Sequence, residues 1–372
     1  MSFFKLNTFI TVFFIFLSFD VHAFDVSPVE KNGQTRYRLA FYEGGQYPDY
    51  MIILKQTLYG LMETGWIEQS ELPDFGKDHK KFWEWASENI RSRYVEFAKN
   101  GFFAPGDFDK TLRLSTQQEF LKKADEFDLV IAMGTWAGQD LSNNLHHTPV
   151  MLASTSDPIG AGIIKSADDS GLDHFHAKVD PDRYLRQIKI FHEIMGFKKL
   201  GVIYENSTEG RTYAAMDALE QQAKNLNFEL VLCEAAFSGV DIKDAEQNVI
   251  KCSKNIVGKV DAVYLTVHRG NTGNGFKESI KIFNENKIPS FSQLGADEVK
   301  NGALMSISQA GFKYVGQFHA MVAARILKGE KPREIGQIYI SPARIALNMT
   351  TAKMIGFKPT VDILLVADEI VR

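Results

Sequence analysis

The sequence contains very few cysteines. Only Cys233 and Cys252 occur among its 372 residues, which excludes a small disulfide-stapled scaffold. The first lies late on a predicted strand and the second well along the next helix, which runs back along the sheet. We therefore expect their Cα atoms to lie more than about 7 Å apart, too far for a disulfide bond. The sequence therefore favours two buried free thiols, with a disulfide bond in an oxidising compartment as the alternative.

The sequence also lacks an excess of positive charge. Its 42 Lys and Arg residues are outnumbered by 46 Asp and Glu residues, which gives a formal net charge of −4. Binding a phosphate backbone needs a concentrated basic face, so nucleic acid is not an expected partner. Hydrophobic residues make up 45% of the chain and charged residues 24%, proportions typical of a soluble globular protein.

Only one long apolar run is present. It extends from Leu6 to Phe19 and is shorter than the roughly 20 residues of a membrane-spanning helix, although a membrane anchor is the alternative. Lys5 precedes the run, and Ala23 follows at a suitable cleavage position. The pattern predicts a secretory signal peptide over residues 1–23. No cysteine lies directly after the run, so we expect a protein outside the inner membrane without a lipid anchor.

Short motifs of enzymes and metal sites are missing as well. There is no nucleophile elbow, and the glycine-rich stretch 270–275 lacks the Lys-Ser/Thr ending of a P-loop. His174 and His176 share one side of a strand, and His146 and His147 lie at a helix end, but no carboxylate cluster accompanies them. We expect no catalysis, no metal and no cofactor.

The chain does contain an internal repeat. Residues 127–162 read as a buried strand, a Gly-Thr turn, a polar helix, a second strand and a Gly-Ala-Gly segment, and residues 260–304 follow the same order. Strands that alternate with amphipathic helices indicate mostly parallel sheets with helices on both faces. The predicted fold class is α/β, with two Rossmann-like lobes joined by a hinge with several crossovers. A cleft between such lobes is the expected ligand site.

Polar turns follow the strands of both halves, at the sheet edge where helix N-termini offer free backbone N–H groups. The same residue types also occur in ordinary turns and helix caps. A purely structural role is therefore the alternative for each position. We expect the backbone of Thr135 and Ser207 to hold an anionic group, with Arg269 as its counter-charge. Trp136 or Tyr42 is expected to stack on a planar part of the ligand. The expected ligand contacts are Tyr42, Glu43, Gly44, Thr135, Trp136, Ser156 and Asp157 in the first lobe and Asn206, Ser207, Thr266, Arg269 and Gln293 in the second.

These turns and strands carry motifs that resemble one protein family. The motifs include Val-Ile-Ala-Met-Gly-Thr ending at Thr135, Ser-Asp-Pro-Ile-Gly-Ala-Gly at 156–162, and Leu-Lys-Gly-Glu-Lys-Pro at 327–332. Between them lie Lys-Leu-Gly-Val-Ile-Tyr at 199–204 and Val-Asp-Ala-Val-Tyr at 260–264. In order, and over nearly all of the mature chain, they resemble the periplasmic solute-binding proteins of ABC importers. The specific subfamily is the one that includes tryptophan- and tyrosine-binding lipoproteins.

The resemblance implies a type I periplasmic binding fold in which the chain crosses three times between the lobes. Lobe 1 would comprise residues 24–175 plus 302–340, and lobe 2 residues 176–301 plus 341–372. It further implies a monomer that closes on one small-molecule solute, without catalysis, and then docks on an ABC permease in the inner membrane.

Several positions depart from the family pattern. Trp136 replaces a proline, and Gln293 or Leu294 stands where an Asp of the family can pair the ammonium of an amino acid, which puts an amino-acid ligand in doubt. A helix at residues 78–90 reads as an insertion. These departures favour one alternative, a periplasmic sensing module that signals to a membrane kinase or chemoreceptor. An exported enzyme is a further alternative, which would need an acid, a base or a nucleophile at the cleft.

Overall fold

A computed structural model describes residues 25–33, 35–309, 312–340 and 343–372. The predicted signal peptide and its cleavage site after Ala23 lie outside these residues. Within them the chain forms two α/β lobes, each built on one sheet with apolar cores on both faces, which confirms the predicted fold class. None of the helices in the described ranges is long and apolar enough to cross a membrane.

The first lobe is built on a five-stranded parallel sheet. Its elements in chain order are β1 (Tyr37–Glu43), α1 (Pro48–Glu63), α2 (His79–Asn89), β2 (Val95–Phe103), α3 (Lys110–Leu121), β3 (Leu129–Met133), α4 (Gly134–Leu141), β4 (Val150–Ala153) and β5 (Phe175–Ala177). The strand order is β2-β1-β3-β4-β5. Every residue of β3 is buried, as expected of a parallel strand covered on both faces.

The second lobe is built on a seven-stranded sheet in the order β12-β11-β10-β9-β8-β6-β7. The remaining elements are α5 (Arg183–Met195), β6 (Lys199–Tyr204), α6 (Thr208–Tyr213), α7 (Met216–Leu226), β7 (Glu229–Glu234), α8 (Ile242–Ile256), β8 (Ala262–Leu265), α9 (Gly273–Glu285), β9 (Ser290–Ser292), α10 (Ala296–Lys300), β10 (Met305–Gln309), α11 (Phe312–Leu327), β11 (Ala343–Asn348), α12 (Met349–Ile355), α13 (Val361–Val366) and β12 (Glu369–Val371). Strands β10 and β11 are antiparallel, and the other neighbours are parallel.

The chain passes between the lobes after β5, after β10 and before β11. Strand β10 pairs with β9 and β11, so residues 305–309 lie in the larger sheet, whereas the sequence assigned them to lobe 1. The preceding Ala303 and Leu304 belong to the cores of the second lobe, so the crossing comes at the end of this strand instead of at its start. Strand β5 likewise keeps residues 176–177 in the first sheet.

Helix α11 returns the chain to the first lobe and packs against α1. Gly316 allows this close approach, because a Cβ atom there would lie 2.4 Å from the carbonyl carbon of Gln56 on α1. Gly60 faces Ala320 in the same contact, where a Cβ would lie 2.7 Å from the alanine Cβ. Larger residues at either position would force the helices apart.

The cysteines contradict the sequence-based prediction, because Cys233 and Cys252 form a disulfide bond with Cα atoms 5.7 Å apart. Helix α8 lies directly over the end of β7, so Val249 and Cys252 pack against Ala235 and Cys233. The sequence indicated that the helix runs back along the sheet, but not which strand it covers.

Candidate functional site

A cavity of about 180 Å³ lies between the two lobes. Its walls come from the β1–α1 turn and the loop after β4 on one side, and from α5, α6 and the loops after β7 and β8 on the other. Most of these segments follow the carboxyl ends of parallel strands, where α/β proteins place their ligands. The volume is sufficient for one small molecule or for several water molecules.

Seven aromatic side chains from both lobes line this cavity. They are Tyr47, Tyr50, Phe108 and Phe312 from the first lobe and Tyr184, Tyr213 and Phe237 from the second. Burial raises the pKa values of the Tyr50 and Tyr213 phenols above their ordinary value, so both rings are neutral at physiological pH. Aromatic faces on opposite sides of a cleft are suited to holding a planar apolar group.

The start of α1 places two of these rings. Pro48 occupies the first turn of the helix, and the rings of Tyr47 and Tyr50 pack 5.5 Å apart on either side of it. The Tyr50 hydroxyl reaches Gly134, where a Cβ atom would lie 1.8 Å from it and where φ is +85°. Only glycine suits this backbone conformation beside the tyrosine.

Four charged side chains, Asp49, Lys178, Arg183 and Arg269, also line the cavity. Burial raises the pKa of Asp49 to about 6, although the nearby charge of Arg183 opposes this shift. Burial lowers the pKa of Lys178 to about 8, and the Arg183 charge lowers it further. The site therefore contains partly desolvated charges of both signs.

The loop after β7 is fixed by side chains of its own lobe. A carboxylate oxygen of Glu205 accepts hydrogen bonds from the backbone N–H groups of Phe237 and Ser238, both at 2.7 Å. Arg269 donates from Nη1 to the carbonyl of Val240 at 2.8 Å, and the ring of His268 packs 4.7 Å from that of Phe237. These contacts hold the Phe237 ring at the wall of the cavity.

Arg269 also joins the two lobes. Its Nη2 atom donates to a carboxylate oxygen of Asp107 at 2.5 Å, and Asp107 belongs to the loop before α3 in the first lobe. The carboxylate is 49% exposed and the guanidinium 16% exposed, so solvent screens the pair on one side. This ion pair favours the closed arrangement of the lobes.

Replacing Asp107 with Asn should therefore modestly weaken the binding of any ligand held in the cavity. An ion pair with one exposed partner contributes about 0.2–1 kcal/mol, which corresponds to a loss of affinity of about fivefold at most. The difference from the unaltered protein should shrink in 0.5 M NaCl, because salt screens exposed charges. Titration calorimetry at two salt concentrations measures this, with Glu119→Gln on the surface of α3 as the control. An affinity loss unaffected by salt would contradict the electrostatic explanation.

Of the predicted contacts, Ser156 and Arg269 line the cavity, and Asp157 does not. The Asp157 carboxylate instead accepts hydrogen bonds from Ile159 and Gly160 of its own turn, at 3.1 and 2.9 Å. Thus one predicted position from each lobe lies at the cavity.

The other predicted positions of the first lobe lie in its interior. Tyr42 is fully buried in the apolar core and donates a hydrogen bond to Asp140 at 3.0 Å. Trp136 is 3% exposed, and its ring packs against Phe108 and Arg113. Neither ring faces the cavity, which contradicts their predicted stacking role.

Three predicted neighbours are buried with them. Glu43 bonds to His79, and a Cβ at Gly44 would lie 2.5 Å from the Cβ of Trp136. Thr135 is 1% exposed and lies beside Tyr213, so it is behind the cavity wall. The physical reason is that α4 begins at Gly134, directly at the end of β3, and is covered by the loop before α3.

The predicted ligand contacts of the second lobe instead form hydrogen bonds that stabilise its loops and helix ends. Ser207 caps α6 by accepting from the backbone of Gly210 at 3.0 Å, and Asn206 is exposed and donates to Glu234. The hydroxyl of Thr266 donates to the carbonyl of Ile203 at 2.6 Å. Gln293 is fully buried and bridges Val267 to Tyr213 with two hydrogen bonds of 2.9 Å. Side-chain contact with a ligand in the cavity is therefore not supported for these four.

The predicted contacts include none of the aromatic residues that line the cavity, and only one of its three cations, Arg269. Tyr47 and Tyr50 flank the proline that starts α1, which was an available signal. Lys178 and Arg183 follow β5 at the first crossing between the lobes, and no motif in the sequence marks either residue. Tyr213 lies within α6, and nothing in its local pattern distinguishes it from a core residue.

The described ranges contain no group of three or more His, Cys, Asp or Glu side chains arranged to hold a metal ion. His176, whose pKa burial lowers to about 4, bonds to the carbonyl of Gly336 at 3.2 Å. The rings of His146 and His174 pack 4.8 Å apart, edge to face. These histidines are parts of packed interiors.

Comparisons with known proteins agree with this architecture. The family model described as "ABC transporter substrate binding protein" matches residues 106–371. A curated protein from Clostridioides difficile (strain R20291), named "Tyrosine-binding protein", is 28% identical over 254 residues, covering 66% of this chain and 68% of the relative.

Solved structures share the fold. One is a conserved domain protein from Vibrio cholerae, with a TM-score of 0.66 and 18% identity, covering 90% of this chain and all of the other. Another is an ABC domain in complex with L-Trp from Streptococcus pneumonia, with a TM-score of 0.64, 18% identity and the same coverage. The ligand-free, open structure of a substrate binding protein from Clostridium difficile has a TM-score of 0.57 and 21% identity, covering 90% of this chain and 99% of the other.

Proposed function

Because the chain belongs to the family of ABC transporter substrate-binding proteins, we propose that it captures a solute with a planar aromatic part between its lobes and delivers it to the permease of an importer. The observation that carries this proposal is the convergence of seven aromatic rings, four from the first lobe and three from the second, on one cavity. A ring held between both walls makes contacts that exist only when the lobes are closed. Such a solute therefore favours the closed form.

The binding energy comes mainly from desolvation of the ring. Aromatic groups bury about 150–250 Å² each, and burial of apolar area contributes roughly 25 cal/mol per Å². The phenols of Tyr47 and Tyr184 and the hydroxyl of Ser156 can then orient the polar part of the solute. Closure needs only a few kcal/mol of difference in affinity between the open and closed forms.

The relatives suggest which solutes to test first. One is named a tyrosine-binding protein and another was solved with L-Trp, so L-tyrosine and L-tryptophan are the first candidates. The sequence put an amino-acid ligand in doubt because Gln293 or Leu294 replaces an acid. Asp49 offers a carboxylate in the cavity that can take over this role.

Replacing Phe237 with Ala should lower the affinity for an aromatic solute by about 10- to 100-fold, because the change removes most of one apolar wall. Thermal-shift screening identifies the solute, since a ligand at 100 times its Kd adds about 2.7 kcal/mol of stability. Titration calorimetry then compares Phe237→Ala with Tyr59→Ala, an exposed ring of α1 outside the cavity. The proposal fails if no aromatic solute stabilises the protein, or if both variants bind equally well.

The location, the partner and the absence of catalysis are part of the same proposal. We propose a monomeric periplasmic protein whose signal peptide is removed near Ala23. The closed, solute-loaded form should stimulate ATP hydrolysis by a reconstituted permease, and mass spectrometry should recover the solute unchanged. Stimulation of a sensor kinase instead of a permease would favour the sensory alternative.

A further inference from the structure

Two basic residues enter the cavity from one short segment. Lys178 directly follows β5, and Arg183 is the first residue of α5, so both come from the first crossing between the lobes. Both are half-buried, and both line the cavity. They therefore form one cationic corner of the site.

This corner is not neutralised by the protein. Within the described part of the chain, no acceptor lies within hydrogen-bonding distance of the Lys178 ammonium and no carboxylate lies within ion-pair distance of it. The Nε atom of Arg183 is buried without a partner, and its Nη2 makes only a 3.4 Å hydrogen bond to the carbonyl of Gln293. The nearest acid along the chain, Asp180, pairs with Arg186 at 2.8 Å. By contrast, the guanidinium of Arg269 forms an ion pair with the carboxylate of Asp107.

Neighbouring groups behind the corner add no negative charge. His319 on α11 is fully buried, and burial together with the Lys178 charge holds its pKa well below the ordinary value, so its ring is neutral. Burial raises the pKa of Glu298 to about 8, so this acid is mostly protonated at neutral pH. Asp49, whose pKa is about 6, is the one lining carboxylate and is mostly ionised at pH 7.

The charges of the lining therefore do not balance at pH 7. Lys178 and Arg183 contribute two positive charges, Asp49 contributes one negative charge, and Arg269 is cancelled by Asp107. Leaving a desolvated charge unmatched is costly. A solute with a net charge of −1 would neutralise the closed site, whereas a zwitterion would leave one positive charge enclosed.

We infer that the solute is an aromatic acid with a net negative charge, whose carboxylate is received by Lys178 and Arg183 while its ring lies between the aromatic walls. The inference rests on the proposed function and narrows it, because it disfavours the neutral amino acids that the relatives suggest. The planar guanidinium of Arg183 can bond both oxygens of a carboxylate, and Lys178 supplies a further donor.

Three ligands with one skeleton test the charge requirement. 3-(4-Hydroxyphenyl)propionate is the anion, L-tyrosine adds an ammonium group, and tyramine has the ammonium without the carboxylate. Titration calorimetry at pH 7 should give an affinity for the propionate at least 10-fold higher than for L-tyrosine and at least 100-fold higher than for tyramine. Equal or reversed affinities would overturn the inference but leave the proposed function standing. Failure of every aromatic solute to bind would instead overturn the proposed function.

Lys178→Met removes the charge and keeps the length of the side chain. This variant should bind the propionate about 30-fold more weakly, a loss within the range for removing one partner of an enclosed charge pair, and should bind tyramine no worse. Lys189→Met is the matched control, since Lys189 lies on the exposed face of the same helix as Arg183. Equal propionate affinity of Lys178→Met and Lys189→Met would overturn the assignment.

A measurement on the unaltered protein covers the case in which Lys178→Met fails to fold. The pKa of Lys178 in the empty site is about 8, so its ammonium form falls steeply between pH 7 and pH 9. The affinity for the propionate should fall about 10-fold over this interval. Asp49 and His319 do not change charge there, but Glu298, whose pKa is also about 8, ionises over the same interval. The profile is therefore measured for Glu298→Gln as well, and the fall in affinity should persist in that variant because Lys178 still loses its charge. A flat profile would contradict its role.

Discussion

Replacing His79 with Ala should lower the free energy of unfolding by about 3–5 kcal/mol, because it leaves a buried carboxylate without its partner. The Nδ1 atom of His79 lies 2.6 Å from a carboxylate oxygen of Glu43, and each side chain is only 2% exposed. Burial raises the pKa of Glu43, and the hydrogen bond from His79 opposes this shift. Urea unfolding followed by circular dichroism measures the loss.

Two further variants show whether the unpaired carboxylate is the cause. The double variant Glu43→Leu/His79→Leu removes both polar groups and should be much more stable than His79→Ala alone. His147→Ala changes an exposed histidine of the same lobe and should alter the stability by less than about 0.5 kcal/mol. A loss below about 1 kcal/mol for His79→Ala would show that water or another group can satisfy Glu43.

The pair also connects α2 to the binding site. Glu43 ends β1, and the next residues pack tightly: a Cβ at Gly45 would lie 2.4 Å from the ring of Phe108. Phe108 lines the cavity, so movement of the strand end would shift one aromatic wall. The sequence treated the helix that carries His79 as an insertion, but its Phe82 and Trp83 are each 1% exposed. The helix is part of the core that supports the site.

The fold was predictable because its signals are local. Strand β3 is a continuous apolar run and is buried at every residue, and the same strand–helix–strand order recurs at β8, α9 and β9. Such patterns arise because each strand or helix buries particular faces. The spacing of apolar residues in the sequence shows which faces these are. The predicted lobe boundary before β10 was wrong, because the sequence does not show at which end of a strand the chain crosses to the other lobe.

The site was less predictable because it depends on packing between elements. Ser156 and Arg269 line the cavity, but Thr135 and Trp136 do not, although they follow β3 directly. A residue at the end of a central strand is still covered by neighbouring loops, and α4 begins without any intervening turn. Side chains in the first turn of a neighbouring helix, such as Tyr50 of α1, reach the cleft instead.

The disulfide was unpredictable for a related reason. Two cysteines separated by 19 positions pair only if α8 lies over β7, and the sequence does not specify which strand a crossover helix covers. Once the helix is placed, Cys252 and Val249 face the strand and the short distance follows.

Removing this disulfide should lower the free energy of unfolding by about 3 kcal/mol, since it closes a loop of 19 residues in the unfolded chain. The variant Cys233→Ala/Cys252→Ala avoids burying new polar groups. Urea unfolding of this variant and of the parent protein, each with and without reductant, measures the effect. The parent should lose the same amount on reduction, whereas the double variant should be insensitive to reductant.

Removing the disulfide should also weaken solute binding, because the disulfide lies at the start of the loop that carries Phe237. Cys233 is followed within four residues by the Phe237 backbone that Glu205 holds, so a looser β7–α8 connection increases the motion of one cavity wall. We expect a weaker affinity in the double variant even under conditions in which it is fully folded. Unchanged stability together with two titratable thiols in the native parent protein would show that the cysteines are not paired. Unchanged affinity with the expected loss of stability would show that Glu205 and Arg269 suffice to hold the loop.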